Sequence, residues 1–394
     1  MQTITDRLAK RVKSIKVSGI RQMPMLAAKV PGAISLGQGI PDLKTPQYIR
    51  QGVSRLLESS NEVGKYSLQP GLPELKQLIA QRLSVEAGRA VDPEKNICVT
   101  TGAMEALAIA IATIIDDGDE VLLFDPGYPS YIEQTLFAGG KPVFVPLNES
   151  SGWVLDVKKL RAAVTKKTKA IIFCNPANPT GMVFSQTDIA AIVAVAEEFN
   201  LFLIGDLTYE FLTYGDVPMP SLIKYASIQD RLILCYSFSK EFAMTGWRVG
   251  YLYAPEAVLE QASKIHDAFV ICAPTISQYA ALVALTQKPE SGSENIKADL
   301  AAKRDVICKR LDALSDLFSY QKPQGAYYIL GRYKKTKLNS WEFTLRLLNE
   351  AKVVVIPGSE FGSQGEGCVR FSYGASIENI NKAFDSIEAW NKTL

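Results

Sequence analysis

Between residues 95 and 255, seven short apolar runs alternate with helix-length segments, and this alternation limits the folds open to the chain more than any other feature. The runs are Asn96–Thr100, Glu120–Phe124, Pro142–Val145, Lys169–Cys174, Leu201–Ile204, Leu232–Tyr236 and Val249–Tyr253. Ala and Leu recur at helical spacing in the segments Ala103–Ile115, Pro129–Phe137 and Thr187–Phe199. Runs rich in β-branched residues, without regular polar alternation, mark strands buried on both faces. Their alternation with helices predicts an α/β fold: a mainly parallel seven-stranded sheet flanked by helices.

The flanks read differently. Residues 1–45 carry little sheet signal. A polar stretch, QKPESGSEN, follows Thr286 and precedes a long charged helix expected over Ile296–Leu317. Shorter strand-like pieces come next, at Ala326–Leu330, Val353–Ile356 and Cys368–Ser372, then a closing helix over Ile377–Lys392. We expect a large domain over 46–286 and a smaller α+β domain over 287–394, with residues 1–45 forming an arm and part of the smaller domain. A chain of 394 residues buries roughly three quarters of its unfolded surface, so core size is not limiting.

Composition excludes several function classes. With 43 Lys and Arg against 41 Asp and Glu, the net charge of +2 leaves no electrostatic footprint for nucleic acid or an anionic membrane. The six cysteines form no CxxC pair and mostly sit in apolar runs, as buried free thiols of a reducing compartment do. No apolar run reaches 18 residues, and the start lacks a signal-peptide core, so a cytoplasmic location is expected. The single histidine, His266, excludes histidine-based zinc sites and argues against a Ser/His/Asp triad. Acid–base work near neutral pH must therefore fall to another residue type.

In an open parallel sheet, ligands bind outside the carboxyl ends of the strands. Five expected strands end in conspicuous polar or glycine residues: Thr101-Gly102, Asp125-Pro126-Gly127-Tyr128, the run Asn175 to Gly181, Gly205-Asp206 with Tyr209, and Ser237 with Lys240. One such coincidence is weak, but five together argue for a single site. Gly102 opens a helix whose free N–H groups favour a phosphate, although TG before a helix is also common as plain capping. Ser237 and Arg248 flank Lys240 with donors suited to the same anion. Lys240 lies among Phe238, Phe242, Met244 and Trp247; burial there favours a neutral, nucleophilic amine. Asp206 ends an apolar strand, where it either caps the next turn or meets a cationic partner. Gly37-Gln38-Gly39 is no dinucleotide fingerprint, because the third glycine would fall on Asp42 and no helix begins there.

With these residues assembled, the chain resembles the class I aminotransferases, pyridoxal-phosphate enzymes of fold type I. The resemblance covers nearly the whole length and rests on SLGQGIPDLKTP, YSLQPGLPELKQLIA, TTGAMEAL, NPANPTG, GDLTYE, SFSKEFAMTGWRVGY, PQGAYYIL, IPGSEFG and VRFSYG. It implies that Lys240 binds pyridoxal 5′-phosphate as a Schiff base and later carries the transferred proton. Asp206 would pair with the pyridinium nitrogen, Asn178 and Tyr209 would bond the ring O3′, and Tyr128 would stack on the ring. The phosphate would lie against Gly102, Ala103 and Met104, with Ser237 and Arg248. Tyr66 matches a tyrosine that reaches the neighbouring subunit's cofactor, which implies a homodimer with shared sites. Arg370 would clamp the substrate α-carboxylate, helped by the Gly39 backbone and Asn178.

Relatives that act on aspartate can carry a lysine two places after the phosphate-loop glycine; Met104 stands there instead. An aromatic or broadly apolar amino donor is therefore expected, with 2-oxoglutarate or another 2-oxo acid as acceptor. Arg21, or another residue brought by the N-terminal segment, is a candidate for a distal carboxylate. The competing readings are a related C–S lyase, an aminocyclopropane-carboxylate-synthase-like lyase and a non-catalytic amino-acid-binding regulator. In some aminotransferases a histidine three residues after the stacking aromatic supports the aspartate. Tyr131 occupies that place, and His266 is expected to be structural.

Overall fold

The computed structural model describes residues 4–287 and 293–393. Two residues of the N-terminal stretch, Ile34–Ser35, form strand β1. All seven runs between 95 and 255 then join one sheet: β2 (Ile97–Thr100), β3 (Glu120–Asp125), β4 (Lys141–Pro146), β5 (Thr168–Cys174), β6 (Phe202–Asp206), β7 (Leu232–Ser237) and β8 (Gly250–Tyr253). The strand order is β2-β8-β7-β6-β5-β3-β4. Only β8 runs antiparallel to its neighbours within this sheet.

Successive side chains of a strand point to opposite faces, and this sheet buries both. Ala170, Ile172 and Cys174 of β5 enter one core, while Ile171 and Phe173 enter the other. Helix Ala103–Ile114 lines the first core and helix Gln186–Glu198 the second. The chain continues from β3 to β4 on one side of β3, then returns as β5 on its other side. Such a reversal opens a crevice at the carboxyl ends of the two strands.

The C-terminal part builds a second sheet of order β12-β13-β10-β9, from β9 (Phe318–Tyr320), β10 (Tyr328–Tyr333), β12 (Ile356–Pro357) and β13 (Cys368–Ser372). Strand β11 (Val353–Val354) instead pairs in parallel with β1. The single strand expected over Val353–Ile356 is thus divided between two sheets. The strand expected from Ala326 starts two residues later, because Ala326 takes a left-handed backbone with φ 52°. The long helix runs Ser293–Ala313 and stops short of Leu317. Phe318 belongs to β9, its ring edge-on to Phe343 and Phe371. Residues 288–292 of the expected polar loop lie outside the described residues.

Asp125, at the end of β3, ties the two parts together. Its carboxylate accepts the Ser363 N–H (3.0 Å), the Ser363 hydroxyl (2.8 Å) and the Gln364 N–H (3.1 Å). The second sheet's approach therefore meets the first sheet at its carboxyl edge.

Candidate active site

A cavity of about 610 Å³ lies at that edge. The ends of β2, β5, β6 and β7, and the turn after β3, all contribute to its wall. Ala103 and Met104 come from the first, Asn178 from the second, Asp206 and Tyr209 from the third, Ser237 and Lys240 from the fourth, and Tyr128 from the last. Gly39, Arg248 and Arg370 complete the set gathered there. Gly102 lies just behind the wall. Tyr66 stands outside it and is 78% exposed.

Lys240 lies in the short helical turn Phe238–Glu241, which Ser237 caps by accepting the Ser239 N–H at 3.1 Å. Its Nζ donates to the Gly39 carbonyl at 2.5 Å, and the Tyr327 hydroxyl donates to the same oxygen at 2.8 Å. Burial, reinforced by the Arg370 and Arg248 charges, pushes the Lys240 amine down to about 7. Near neutral pH a substantial share of this lysine is therefore an uncharged base.

Arg370 is 1% exposed and sits between the rings of Tyr328 and Phe361, 4.5 and 5.0 Å from their centroids. Its Nη1 donates to Asn178 Oδ1 (3.0 Å) and its Nη2 to the Gly37 carbonyl (2.6 Å). Its Nε is buried without a partner among the described residues. Only neutral groups accept from this guanidinium, so the arrangement calls for an anion.

Arg248 holds a left-handed backbone, φ 55°, and its Nη1 donates to the Thr245 carbonyl at 2.9 Å. A non-glycine residue in that conformation is strained and persists only where the surroundings enforce it. Gly102, φ 77°, permits the close approach: a Cβ there would lie 2.8 Å from Arg248 Nη2. The guanidinium thereby comes beside the start of helix Ala103–Ile114, where free N–H groups attract anions.

Asp206 is the opposite case, a carboxylate 5% exposed. Burial pushes its carboxyl up, and three donors pull against that. The Tyr131 hydroxyl donates to Oδ2 at 2.7 Å, and the Thr208 hydroxyl and N–H donate to Oδ1 at 2.6 and 3.1 Å. Burial holds Tyr131 well above its ordinary range, so it remains a donor. The support sought in place of a histidine is thus the Tyr131 hydroxyl. Tyr209 shares a 2.8 Å hydrogen bond with the Tyr328 hydroxyl, and Tyr128 meets Tyr131 edge-on at 5.5 Å.

Several lining residues had no clear signal in sequence. Thr208 and Tyr328 lie inside the quoted GDLTYE and PQGAYYIL segments, so their motifs marked the neighbourhood but not the role. Helix Gly19–Ala27 brings Ile20, Pro24 and Met25 to the cavity, together with Arg21, the candidate for a distal carboxylate. Its position comes from tertiary packing against Leu348, Val354 and Ile356, which no local pattern reveals.

The cavity combines four basic side chains, Arg21, Lys240, Arg248 and Arg370, with one buried carboxylate that no basic side chain pairs among the described residues. It can hold a ligand with more than one anionic group and one cationic atom, beside a lysine able to act as base. Comparison with known proteins agrees. The sequence model of the aminotransferase class I and II family matches residues 31–387. An aspartate aminotransferase of Pyrococcus abyssi is 38% identical over 382 residues, 97% of either chain. An aromatic-amino-acid aminotransferase 2 of Thermococcus litoralis is 37% identical, again over 97% of both. The crystal structure of an aromatic aminotransferase from Pyrococcus horikoshii superimposes with a TM-score of 0.87 at 36% identity, covering 95% of this chain and 99% of that one. A match over residues 31–387 that contains every strand end on the cavity makes this chain a member of the class I and II aminotransferase family and an aminotransferase.

Proposed function

We propose that this aminotransferase moves the amino group of an aromatic or other largely apolar L-amino acid to a 2-oxo acid such as 2-oxoglutarate, using pyridoxal 5′-phosphate held at Lys240. The observation that carries this reading is the half-buried Lys240 on one cavity wall with Asp206, Arg248 and Arg370; burial and the two arginine charges push its amine down to about 7. The donor set fits the cofactor. Ala103 and Met104 N–H groups, Ser237 and Arg248 suit its phosphate, Asp206 its ring nitrogen, Asn178 and Tyr209 its ring hydroxyl, and Tyr128 its ring face. When bound, the cofactor supplies a carbonyl carbon to receive the amino group and a ring that takes up electron density from the substrate Cα.

This chain's residues do the rest. Arg370, with Asn178 and the Gly39 backbone, fixes the α-carboxylate. Lys240 removes the proton at Cα and returns it on the other side of the transfer. Asp206 stays ionised so that the ring nitrogen stays protonated.

For the side chain, Ile20, Pro24, Met25, Ile40, Met104 and Leu107 offer an apolar wall, and the exposed Arg21 offers a charge for an acceptor's distal carboxylate. We expect that, of the amino acids offered singly to the purified enzyme, aromatic ones convert its visible absorbance fastest. A preference for aspartate by orders of magnitude would contradict this ranking.

The homodimer, the cytoplasmic location and the domain division 1–45, 46–286 and 287–394 belong to the same proposal. Exposed Tyr66, Leu68, Phe269 and Ile271 supply apolar surface of the kind subunits cover. The Gln69 side chain joins these segments through Asp267 and the Ile271 carbonyl. No helix among the described residues is long and apolar enough to cross a membrane, and all six cysteines are free. The β1–β11 pairing supports a smaller domain drawn from both ends of the chain.

Tyr131→Phe tests the support of Asp206. Losing a donor to a charged acceptor costs roughly 1.5–3 kcal/mol, so kcat/KM should fall at least about tenfold. The protonated carboxyl is favoured further in this variant. The acid limb of the pH profile therefore moves to higher pH, and an unmoved limb would remove Tyr131 from the account.

A further inference from the structure

His266 is fully buried on helix Glu256–Val270, outside the cavity wall. Its Nδ1 lies 2.6 Å from Glu105 Oε1. The other oxygen, Oε2, accepts the Thr101 N–H at 2.5 Å. His266 Nε2 is buried and meets no partner among the described residues. The Nδ1 proton is donated to the Glu105 carboxylate. Burial pushes the Glu105 carboxyl up, but the bonds from His266 and Thr101 outweigh it and leave it below its ordinary value.

Glu105 is the third residue of helix Ala103–Ile114, whose first turn faces the cavity. A carboxylate at that position commonly folds back onto the N–H of the cap residue. Here the cap is Gly102, and its N–H already donates to the Thr100 carbonyl at 2.8 Å. Glu105 reaches one residue further, to Thr101. A carboxylate free to swing would itself be drawn to the open N–H groups of the helix start. It would then compete with, and repel, any anion that docks there. His266 holds the carboxylate on the far side of the turn.

We propose that His266 and Glu105 are a positioning pair that reserves the N–H groups of Ala103 and Met104 for an external phosphate. The proposal rests on the reading of this turn as the cofactor's phosphate seat. Neither residue lines the cavity, so neither is catalytic.

The test is equilibrium binding to the cofactor-free full chain, comparing pyridoxal 5′-phosphate with pyridoxal, which lacks the phosphate. In His266→Asn the amide nitrogen falls near the position of Nδ1 and can still donate to Glu105. In His266→Gln it falls near Nε2 and cannot. The Gln protein should bind pyridoxal 5′-phosphate about ten- to a hundredfold more weakly, the range of one hydrogen bond to a charged group. Its affinity for pyridoxal should stay unchanged, and the Asn protein should bind both ligands like the parent. His266→Leu replaces the Gln variant if thermal melting shows that the Gln protein does not fold. Equal losses for both ligands, no loss, or an Asn protein as weak as the Gln protein would each overturn the pair. A parent protein that binds pyridoxal as tightly as its phosphate would overturn the phosphate seat itself, and the pair with it.

Discussion

Lys240→Ala slows transamination by about ten-thousand-fold, the upper end of the range for loss of a positioned acid–base group. The size follows from the absence of a substitute among the described residues. The cavity's other proton-bearing groups cannot act as bases near neutral pH, because burial holds Tyr128, Tyr209 and Tyr328 above their ordinary range. His266 lies outside the wall and is committed to Glu105. Asp206 is engaged by Tyr131 and Thr208. Lys240→Arg keeps the charge but offers no neutral amine, so it should be as slow. Rapid-mixing measurement of the first half-reaction isolates this step from product release. A small amine such as ethylamine, added at high concentration, should restore part of the rate to the Ala protein. Near-normal turnover in either variant would remove Lys240 from the centre of the mechanism.

Asp206→Asn has the second largest effect, and in two opposed directions. Removing one member of a buried ion pair costs about 3–5 kcal/mol, and that implies a fall in turnover of roughly a hundred- to a few-thousandfold. Without a bound cation, the same carboxylate is a burden on the fold. Burial raises its pKa above the unfolded value, so its contribution to stability falls as pH rises into the neutral range. The neutral Asn fits the same space: its one oxygen can face the Thr208 donors, and its amide can donate to a rotated Tyr131 hydroxyl. The cofactor-free Asn protein should therefore unfold at the same or higher urea concentration than the parent at pH 7. Function lost while stability is kept or gained is the mark of a residue held for its ligand. A variant that lost both together would point to a structural carboxylate.

The sheet was legible because strands buried on both faces are nearly continuous apolar runs. All seven runs between 95 and 255 became its strands, displaced by a residue or two at their ends. The smaller C-terminal sheet was less legible. The start of β10 depends on the left-handed Ala326, and Val353–Ile356 serves two sheets, features set by tertiary pairing. At the cavity, Lys240, Asp206 and Asn178 could be picked out because charged or amide groups beside apolar strands are conspicuous, whereas Arg370 entered only through the family resemblance of VRFSYG. Their surroundings could not be picked out. Arg370 between Tyr328 and Phe361, and Tyr131 donating to Asp206, join residues 9 to 75 positions apart. On the helix Gly19–Ala27, more than 200 residues before Lys240, only Arg21 was singled out in sequence, and nothing marked Ile20, Pro24 and Met25 as cavity lining. The lone histidine excluded several chemistries by its scarcity, but its tie to Glu105 at 2.6 Å was visible only in three dimensions.

The central claim is that Lys240 is where the cofactor is anchored and the proton is carried. Borohydride reduction of the holoenzyme, followed by proteolysis and mass spectrometry, tests it most directly. The account predicts that the mass of reduced pyridoxal phosphate is found on the peptide containing Lys240 and nowhere else. The label on any other lysine, or a Lys240 peptide left unmodified in active enzyme, would contradict it.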